Sequence, residues 1–557
     1  MSSYEGRLEL TWTNKALRLL AHEDGSYEWV SPADYRVAEV RLLHDVATVG
    51  EVGKVRASDN LLIRGDALNA LTSLARLSEF AREYLGKVKL VYLDPPFNTQ
   101  QSFLQYDDAL EHSVWLTMMR DRLLQVRDLL SPDGSVWVHC DDSEYAHLRV
   151  VMDEIFGASN FVGTVVWQKT LTRRNDARLL SSAHDYIVVF ARNTASLKLN
   201  ALEATSKQRA TYTNRDNDPR GDWLAIPFHA PNIRPNLTYE IELPSGRRIL
   251  PPPGRCWSTT RERFEELRAD GRIWFGRTGD GMPQRKKFWN GEEMQLIPWT
   301  WWPYEEVGEN REATRESKAV AAFTGDDRPF ATPKPERLLR RIIEIAANPS
   351  DVVLDCFLGS GTTVAVAHKM GRRWIGIERE SSTIESYALP RLTSVVRGED
   401  PGGITEAVGW EGGGGFRVLE VAPSMFEADG GLVFLADWMA NGVLAEATAA
   451  QLGFDFQADP PFSGRKGRSR LAVIDGVVNE DVVRLLVSAL PEGERVVVCG
   501  TGIDTDARAV LRDLRPGSTL RKIPAALLQE YRSGMQLSLD LPSPDPDGSG
   551  QSPEGAT

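Results

Sequence analysis

Two short motifs, each placed directly after an apolar run, most constrain how this chain can fold. The first, Asp94-Pro95-Pro96-Phe97, ends the run 87–93. The second, Phe357-Leu358-Gly359-Ser360-Gly361, follows the run 352–354 and precedes a helical pattern. A glycine-rich turn between a strand and a helix is typical of nucleotide-binding α/β folds, because glycine lets the backbone approach a ligand closely. The two motifs therefore predict a sheet whose strand ends carry a ligand site.

From residue 60 onward, short apolar strands alternate with helical spacing, which is the rhythm of a wound sheet with crossover helices. The rhythm stops in a segment rich in Arg, Gly, Pro and Trp and poor in long helices, and it resumes near residue 325. We therefore predict an α/β, Rossmann-like wound-sheet core with an inserted domain and, after a glycine hinge at 412–415, a small C-terminal α/β domain. The predicted segments are an unassigned N-terminal extension (1–59), the first half of the core (60–194), the inserted domain (195–324), the second half of the core (325–400), the C-terminal α/β domain (401–535) and a disordered acidic tail (536–557).

The composition excludes several classes of protein. No apolar run approaches the roughly 20 residues that span a bilayer, and the first residues lack the parts of a secretory signal, so we expect a cytoplasmic protein without membrane contact. The absence of a G-x-x-x-x-G-K-[ST] loop excludes ATP-driven translocation from this chain. The cysteines form no C-x-x-C pair and have no histidine at ligand spacing, so no metal site is predicted. They are Cys140, Cys256, Cys356 and Cys499.

Charge is distributed unevenly along the chain. The net charge of −13 at pH 7 argues at first sight against a nucleic-acid partner, which prefers a basic surface. Residues 161–300, however, hold 22 Lys and Arg against 15 Asp and Glu, a local charge of +7. Uneven surface charge without a binding role is the alternative interpretation. The predicted DNA-binding residues in this segment are Arg277, Arg285, Lys286 and Lys287.

The first motif suits chemistry on an exocyclic amine. The nitrogen lone pair of such an amine is delocalised into its ring, and acceptors on both hydrogens would favour a tetrahedral, nucleophilic nitrogen. The Asp94 carboxylate and the Pro95 carbonyl can supply those acceptors, and Phe97 can stack on a base flipped out of the duplex. A plain β-turn is the alternative. We predict Asp94, Pro95, Pro96 and Phe97 as the catalytic residues.

The same tetrapeptide recurs at Asp459-Pro460-Pro461-Phe462. This second copy follows a polar segment, so no apolar strand delivers it to a sheet edge. We predict that the second copy is not catalytic.

The glycine turn predicts a nucleotide-like cofactor, here S-adenosylmethionine. Glu378 ends the next strand, 17 residues after Gly361, where a carboxylate can bind ribose hydroxyls. Asp66 is the best remaining acid for the adenine end of the cofactor, with a helix cap as a nearly equal alternative. The predicted cofactor-binding residues are Asp355, Phe357, Gly359, Gly361, Thr362, Glu378, Lys334 and Asp66.

At these motifs the chain resembles the N6-adenine DNA methyltransferases of the β class, in which the catalytic motif precedes the target-recognition domain and the cofactor motif. It most resembles the modification subunit of Type III restriction–modification systems, over roughly residues 60–420. Phe97 stands where that family more often has Tyr, and Cys356 stands where it often has Pro. The likeness rests on Asp94-Pro-Pro-Phe-Asn-Thr99, the segments 184–191, 299–302 and 306–308, Lys334-Pro335 and the long C-terminal extension.

The resemblance implies transfer of a methyl group from S-adenosylmethionine to the N6 amine of adenine in double-stranded DNA. It also implies target recognition by residues 195–324, a homodimer, and a helicase–nuclease restriction subunit as partner. Cytosine N4 methyltransferases are one alternative, although they usually carry Ser in place of Asp94, and glutamine-modifying relatives carry Asn. A catalytically idle DNA-binding module with the same fold is the other alternative.

Overall fold

The computed structural model describes residues 8–22, 26–98, 111–173, 179–203, 209–289, 296–324 and 330–538. The chain divides into two units, a larger one formed by Met1–Leu199 with Trp299–Thr557 and a smaller one formed by Asn200–Pro298.

The larger unit is built on a ten-stranded sheet, whose strands are numbered in chain order. They are β1 (Leu43–Gly50), β2 (Asn60–Arg64), β3 (Val88–Leu93), β4 (Leu130–Cys140), β5 (Phe161–Gln168), β6 (His184–Ala191), β7 (Trp301–Trp302), β8 (Val352–Asp355), β9 (Arg373–Glu378) and β10 (Gly415–Val421). Their order across the sheet is β7-β5-β6-β4-β3-β8-β9-β2-β10-β1. The six strands from β4 to β10 run parallel, and antiparallel pairs follow on both sides. This sheet confirms the predicted wound α/β fold class.

Strands β3 and β8 bring the two motifs together. Every residue of both strands is buried, as expected of parallel strands covered on both faces, and this burial explains why their sequences are mostly apolar, with Lys89 in β3 paired to Asp133. The strands are direct neighbours, with Leu90 opposite Val353 and Val91 opposite Leu354. Because the pair is parallel, both motifs leave the sheet at the same edge. The chain winds away from this pair in opposite directions, which makes it the switch point where α/β sheets bind ligands.

Helices connect these strands. The apolar pattern at 67–84 forms two helices that meet at Leu77. The last long helix before β10 contains a π-helical turn at Ile384–Ala388. The helices of the larger unit up to β10 are Tyr35–Ala38, Ala67–Arg76, Ser78–Tyr84, His112–Leu129, Tyr145–Phe156, Tyr304–Val307, Asn310–Thr324, Glu336–Ala346, Thr362–Lys369, Ser381–Thr383, Leu389–Arg397 and Thr405–Val408, with 3₁₀ turns at Arg56–Ser58 and Ala158–Asn160 and a strand pair at Arg18–Ala21 and Tyr27–Val30.

Two predictions about the core differ from the structure. The glycine run 412–415, predicted as a hinge, leads directly into β10, which pairs with β1 from the unassigned N-terminal extension. A Cβ at Gly50 would lie 2.3 Å from the Gly414 carbonyl oxygen, so glycine here permits close approach of two backbones. The segment predicted as poor in long helices ends in the 15-residue helix Asn310–Thr324, which belongs to the larger unit.

The C-terminal part of the larger unit carries a second sheet of five strands. The second copy of the tetrapeptide forms a hairpin turn there, between the antiparallel strands Asp455–Asp459 and Phe462–Lys466. The Asp459 side chain is 72% exposed. The remaining elements of this part are the strand pair Phe426–Asp429 and Leu432–Leu435, the strands Ser469–Val478, Arg495–Ile503 and Thr519–Lys522, and the helices Asn441–Leu452, Glu480–Ser488, Ala507–Leu514 and Ala525–Ser538.

The smaller unit consists of short strands and one longer helix around an aromatic core. Phe228, Trp257 and Phe264 are fully buried at its centre. Its three-stranded sheet contains Ile273–Trp274, Gln284–Phe288 and Trp223–Pro227 in that order. Its other elements are His229–Pro231 paired with Arg255–Trp257, Ile241–Glu242 paired with Arg248–Ile249, the 3₁₀ turn Pro235–Leu237 and the helix Arg261–Ala269.

Two general features follow from the side chains. Each of the four cysteines is buried and free. Within the described ranges, no helix is both long and apolar enough to cross a membrane.

Candidate functional site

A cavity of about 850 Å³ opens at the ends of β3, β8 and β9 in the larger unit. Both motifs line it, Asp94 and Phe97 from the first, and Phe357 and Gly359 from the second. Glu378, at the end of β9, also lines it. Its volume lies within the range of small-molecule and cofactor sites.

Asp94 is held by a lysine from a distant part of the chain. Lys334 Nζ donates to Asp94 Oδ2 at 2.5 Å, and the two side chains are 9% and 20% exposed. The other carboxylate oxygen, Oδ1, is buried and accepts no hydrogen bond from any described residue. A buried acceptor is normally satisfied, so this oxygen points to a donor that a ligand brings. The carboxylate is thus fixed on one side and free on the other.

The two prolines hold different positions. The Trp115 indole Nε1 donates to the Pro96 carbonyl at 2.7 Å, which fixes the backbone after the Asp94 strand. The Pro95 carbonyl has no donor among the described residues and lies beside the cavity. A second free acceptor therefore follows directly after Asp94.

Phe97 lies against a buried histidine. Its ring stacks on the His139 imidazole, with ring centroids 5.4 Å apart and planes inclined by 24°. His139 is fully buried at the end of β4, and burial, with the nearby Lys334 charge, lowers the pKa of its imidazole. The ring that Phe97 stacks on is therefore neutral at pH 7.

Hydrogen bonds fix that histidine from both ring nitrogens. Tyr92 Oη lies 2.9 Å from His139 Nδ1, and Asp185 Oδ2 lies 3.4 Å from Nε2. Lys169 Nζ donates to the other Asp185 oxygen at 2.6 Å. Burial opposes ionisation of Asp185, yet the contacts with His139 and Lys169 lower its pKa to about 2. Asp185 is thus charged, has a partner on each carboxylate oxygen, and contacts the histidine on which Phe97 stacks.

The glycine turn has the backbone that its sequence predicts. Gly359 and Gly361 have φ values of +53° and +79°, a region that side-chain-bearing residues rarely adopt. A Cβ at Gly359 would also lie 3.1 Å from the Phe330 ring. Gly359 N–H donates to Glu378 Oε2 at 2.8 Å, which ties the turn to the end of β9. The turn and the Glu378 carboxylate form one continuous wall of the cavity.

Asp355 is a buried carboxyl group at the start of this turn. It accepts a hydrogen bond from Phe357 N–H at 2.9 Å. Its burial raises its pKa to about 7, and burial also raises the pKa of Glu378. Carboxyl groups with raised pKa values in a cavity are typical of functional sites.

Comparison with known proteins identifies the family. The model of the family described as DNA methylase matches residues 88–389, more than half of the chain. The chain belongs to the DNA methylase family.

Individual relatives are similar to this family member over part of their length. The probable type III restriction-modification enzyme HindVI Mod subunit of Haemophilus influenzae is 31% identical over 66% of this chain and 54% of its own length. The StyLTI Mod subunit of Salmonella typhimurium is 31% identical over 55% of this chain and 49% of its own. The Type II methyltransferase M.EcaI of Enterobacter cloacae is 30% identical over 55% of this chain and 66% of its own. The chain thus spans about half the length of the first two relatives.

In this DNA methylase, most of the predicted site residues meet in the cavity. Two predicted cofactor residues have other partners. Lys334 binds Asp94, and Thr362 lines the cavity while its Oγ1 accepts a hydrogen bond from the buried Arg391 at 2.7 Å. The predicted residues that line the cavity are Asp94, Pro95, Pro96, Phe97, Lys334, Asp355, Phe357, Gly359, Thr362 and Glu378. Their individual roles stay predictions.

Asp66 lies outside the cavity lining. Its side chain caps the helix Ala67–Arg76 by accepting from Leu68 N–H at 2.8 Å, and it also accepts from Arg122 at 2.9 Å. The Arg122 guanidinium also lies 5.8 Å from the Phe357 ring centroid, so Arg122 links Asp66 to a residue of the site. The structure therefore shows the helix-cap alternative.

The prediction of Lys286 as a DNA-binding residue is wrong. Its side chain is buried, and its Nζ forms ion pairs with Asp216 and, at 2.8 Å, with Asp218. The residue lies in the middle of the strand Gln284–Phe288, where successive side chains point to opposite faces, so it points inward while Arg285 points outward. Arg277 and Arg285 are exposed and Lys287 is half-buried, so those three stay candidates.

Sequence reasoning missed the group behind Phe97. His139, Asp185 and Lys169 come from three strands or their ends, and no local motif marks them as partners. It also missed a cluster of His112, Glu144 and His147, although the three-residue spacing of Glu144 and His147 at a helix start was a visible signal.

Proposed function

We propose that this chain is a site-specific DNA methyltransferase that uses S-adenosylmethionine to methylate the N6 amine of an adenine flipped out of double-stranded DNA. The observation that carries the proposal is the state of Asp94, a cavity-lining residue whose Oδ2 is bound by Lys334 while its buried Oδ1 has no described partner. An exocyclic amine supplies the donor that this oxygen lacks.

The residues present fit a nucleoside-like cofactor at the other wall of the cavity. Gly359 leaves the backbone bare at the cavity, whereas Gly361 does not line it, and the Glu378 carboxylate oxygens, which accept from Gly359 N–H and Glu380 N–H, keep further lone pairs for ribose hydroxyls. S-adenosylmethionine supplies an electrophilic methyl group on a positively charged sulfur. Asp355 and Glu378 place carboxyl groups in the same cavity, which favours a cationic ligand.

Asp94 and Pro95 would act on the amine. The Asp94 Oδ1 would accept a hydrogen bond from one N6 hydrogen and the Pro95 carbonyl from the other, so the nitrogen would become tetrahedral and its lone pair would leave conjugation with the ring. The Phe97 ring, backed by His139, offers a flat apolar surface to the base. Because Lys334 holds Oδ2, the carboxylate is kept from rotating, and Oδ1 stays available to the amine. The arrangement therefore positions a nucleophilic nitrogen without requiring a strong base.

The choice of adenine over cytosine rests on Asp94, because cytosine N4 enzymes usually carry Ser at this position. We further propose that the smaller unit, Asn200–Pro298, recognises the DNA sequence. We also propose a role as modification subunit of a restriction–modification enzyme, which the likeness to the Mod subunits supports; a helicase–nuclease partner and a homodimer stay predictions of the resemblance.

Expression of this chain alone in cells free of DNA methylation tests the proposal. Methylation-sensitive sequencing and nucleoside mass spectrometry should find N6-methyladenine at one sequence motif. The variant Asp94→Ala should methylate about 10²–10³-fold more slowly, whereas Asp459→Ala, in the exposed second copy of the tetrapeptide, should behave as the unmodified chain does. N4-methylcytosine would identify the alternative amine, and unmethylated DNA in the presence of folded protein would refute the proposed activity.

A further inference from the structure

A second cluster of chemistry-bearing side chains lies next to the catalytic segment. His112 is in the first turn of the helix His112–Leu129, and Glu144 and His147 stand three residues apart where the helix Tyr145–Phe156 begins. Residues at this spacing share one helix face. One ligand atom from each of the three side chains lies within 4.8 Å of the other two.

The contacts of Glu144 define the centre of this cluster. His112 Nδ1 lies 2.6 Å from Glu144 Oε1, and His147 Nδ1 lies 2.8 Å from Oε2. Asn98 Nδ2 also donates to Oε1, at 2.7 Å. Asn98 directly follows Asp94-Pro95-Pro96-Phe97, so the cluster is one hydrogen bond away from the proposed catalytic segment.

Burial and charge distinguish this cluster from an ordinary surface pair. The Glu144 side chain is completely buried, and no described Lys or Arg forms an ion pair with it. Buried carboxylates normally pair with a cation or bind a metal. A bound divalent cation would supply this partner.

Two imidazoles and one carboxylate are a typical donor set for zinc and related divalent ions. In a tetrahedral zinc site with ligands at about 2.0–2.1 Å, neighbouring ligand atoms lie about 3.3 Å apart. The His147 Nδ1–Glu144 Oε2 distance of 2.8 Å is shorter by about half an ångström, and the two imidazoles, 60% and 42% exposed, have room to move apart by that amount. Their ring centroids are 5.5 Å apart with planes at 68°.

We propose that His112 Nδ1, Glu144 Oε2 and His147 Nδ1 bind a divalent transition-metal ion of the zinc type, with water as the fourth ligand. Asn98 keeps its hydrogen bond to Glu144 Oε1, so the ion rigidifies the segment that carries Asp94. The ion has a structural role, because it contacts none of the cavity-lining residues of the two motifs. The proposal concerns a metal site and does not depend on the proposed methyl transfer.

Zinc titration of the full, untagged chain after chelator treatment tests this proposal. Calorimetry should find one site of micromolar affinity or tighter, and Co²⁺ should give the visible absorption of a tetrahedral site that Zn²⁺ then displaces. The double variant H112A/H147A should weaken Zn²⁺ binding by roughly 100-fold or more. The matched control H22A/H229A removes two histidines outside the cluster and should bind Zn²⁺ normally. The cysteines are buried and should not compete.

Hydrogen exchange gives a second readout on the same proteins. Added Zn²⁺ should slow exchange in the segment 94–98 of the unmodified chain and of the control, and should leave the double variant unchanged. Melting curves in chelator check that all variants fold. Wild-type protein that fails to bind Zn²⁺ at about 100 μM, or a double variant that binds as well as the control, would show a hydrogen-bonded triad without a metal and overturn the proposal.

Discussion

Substitutions at three consecutive residues of the smaller unit should distinguish effects on its folding from effects on DNA binding. Lys286→Met removes a buried cation, whereas Arg285→Gln and Lys287→Gln change side chains of the outer face of the same strand. Lys286 is 6% exposed, with Nζ paired to Asp216 and Asp218. Neutralising all three together would confuse lost folding with lost binding, so the two faces must be changed separately.

The size of the folding effect follows from the ion pairs. Removing one partner of a buried ion pair costs about 3–5 kcal/mol, because the remaining charge stays buried. Arg220 also binds Asp218, through Nε at 2.8 Å and Nη2 at 2.9 Å, and it retains part of the compensation. We therefore expect Lys286→Met to cost about 3 kcal/mol, the lower end of that range. For a unit of about 100 residues, this lowers the melting temperature by roughly 10–25 °C.

The effect on DNA binding should appear only in the outer-face variant. Surface substitutions usually change stability by at most about 0.5 kcal/mol, so Arg285→Gln/Lys287→Gln should melt normally. Each lost phosphate contact reduces the salt dependence of log K by about 0.9, so two lost contacts reduce it by up to about 1.8.

Melting curves and fluorescence anisotropy with duplex DNA over a salt series measure both effects. Arg465→Gln/Arg468→Gln is the matched control, because these two exposed basic residues lie in the C-terminal sheet and its hairpin. A control that weakens DNA binding as much as the outer-face variant would move the recognition surface to the C-terminal part. A Lys286→Met protein that melts within about 3 °C of the parent would refute the burial argument.

Three further predictions concern the cavity. Asp94→Ala should lower the single-turnover methylation rate by about 10²–10³-fold with cofactor binding retained, because a transition-state acceptor is lost. Asp459→Ala is its control, and an Asp94→Ala rate within tenfold of the parent would contradict the acceptor role. Gly359→Val should weaken S-adenosylmethionine binding measured by calorimetry, since φ is +53° and a Cβ would lie 3.1 Å from the Phe330 ring. Asp355 has a pKa near 7, above its unfolded value, so its ionisation lowers the unfolding free energy as pH rises from about 4 to 7, by up to about 4 kcal/mol; Asp355→Asn should flatten this pH dependence in melting curves.

The sequence predicted the centre of the fold better than its borders. The fully buried parallel strand Val88–Leu93 lies within the predicted run 87–93, because burial on both faces favours a mostly apolar sequence. The antiparallel strand Leu43–Gly50 at the sheet border escaped prediction, since six of its eight residues are exposed and its sequence shows no such run. Its partner Gly415–Val421 escaped too, because the preceding glycines were interpreted as a hinge when they permit strand contact.

The site was predictable where a motif carries its own chemistry and unpredictable where partners come from afar. Asp94 and Gly359 can be predicted as site residues from the residues next to them in the sequence. Lys286 looks like its neighbours Arg285 and Lys287, and only the aspartates about 70 residues upstream, at positions 216 and 218, reveal that it is structural. Side chains along a strand point alternately to opposite faces, and this alternation distinguishes the buried Lys286 from Arg285 and Lys287 on the outer face.

The catalytic motif precedes the glycine turn along the chain. This order has no consequence for the site, because position in the sheet determines which residues meet. Strands β3 and β8 lie side by side in parallel, with Val91 opposite Leu354, so the same register continues to bring Asp94 level with Phe357. Between the two motifs, the chain leaves the sheet after β6 and returns at β7. Both β6 and β7 are among the three outermost strands at one edge of the sheet. An insertion whose two ends lie at a sheet border interrupts none of the parallel strands that carry the cavity. Relatives should therefore tolerate large changes in the segment between β6 and β7 while β3, β8 and the geometry of their ends stay the same.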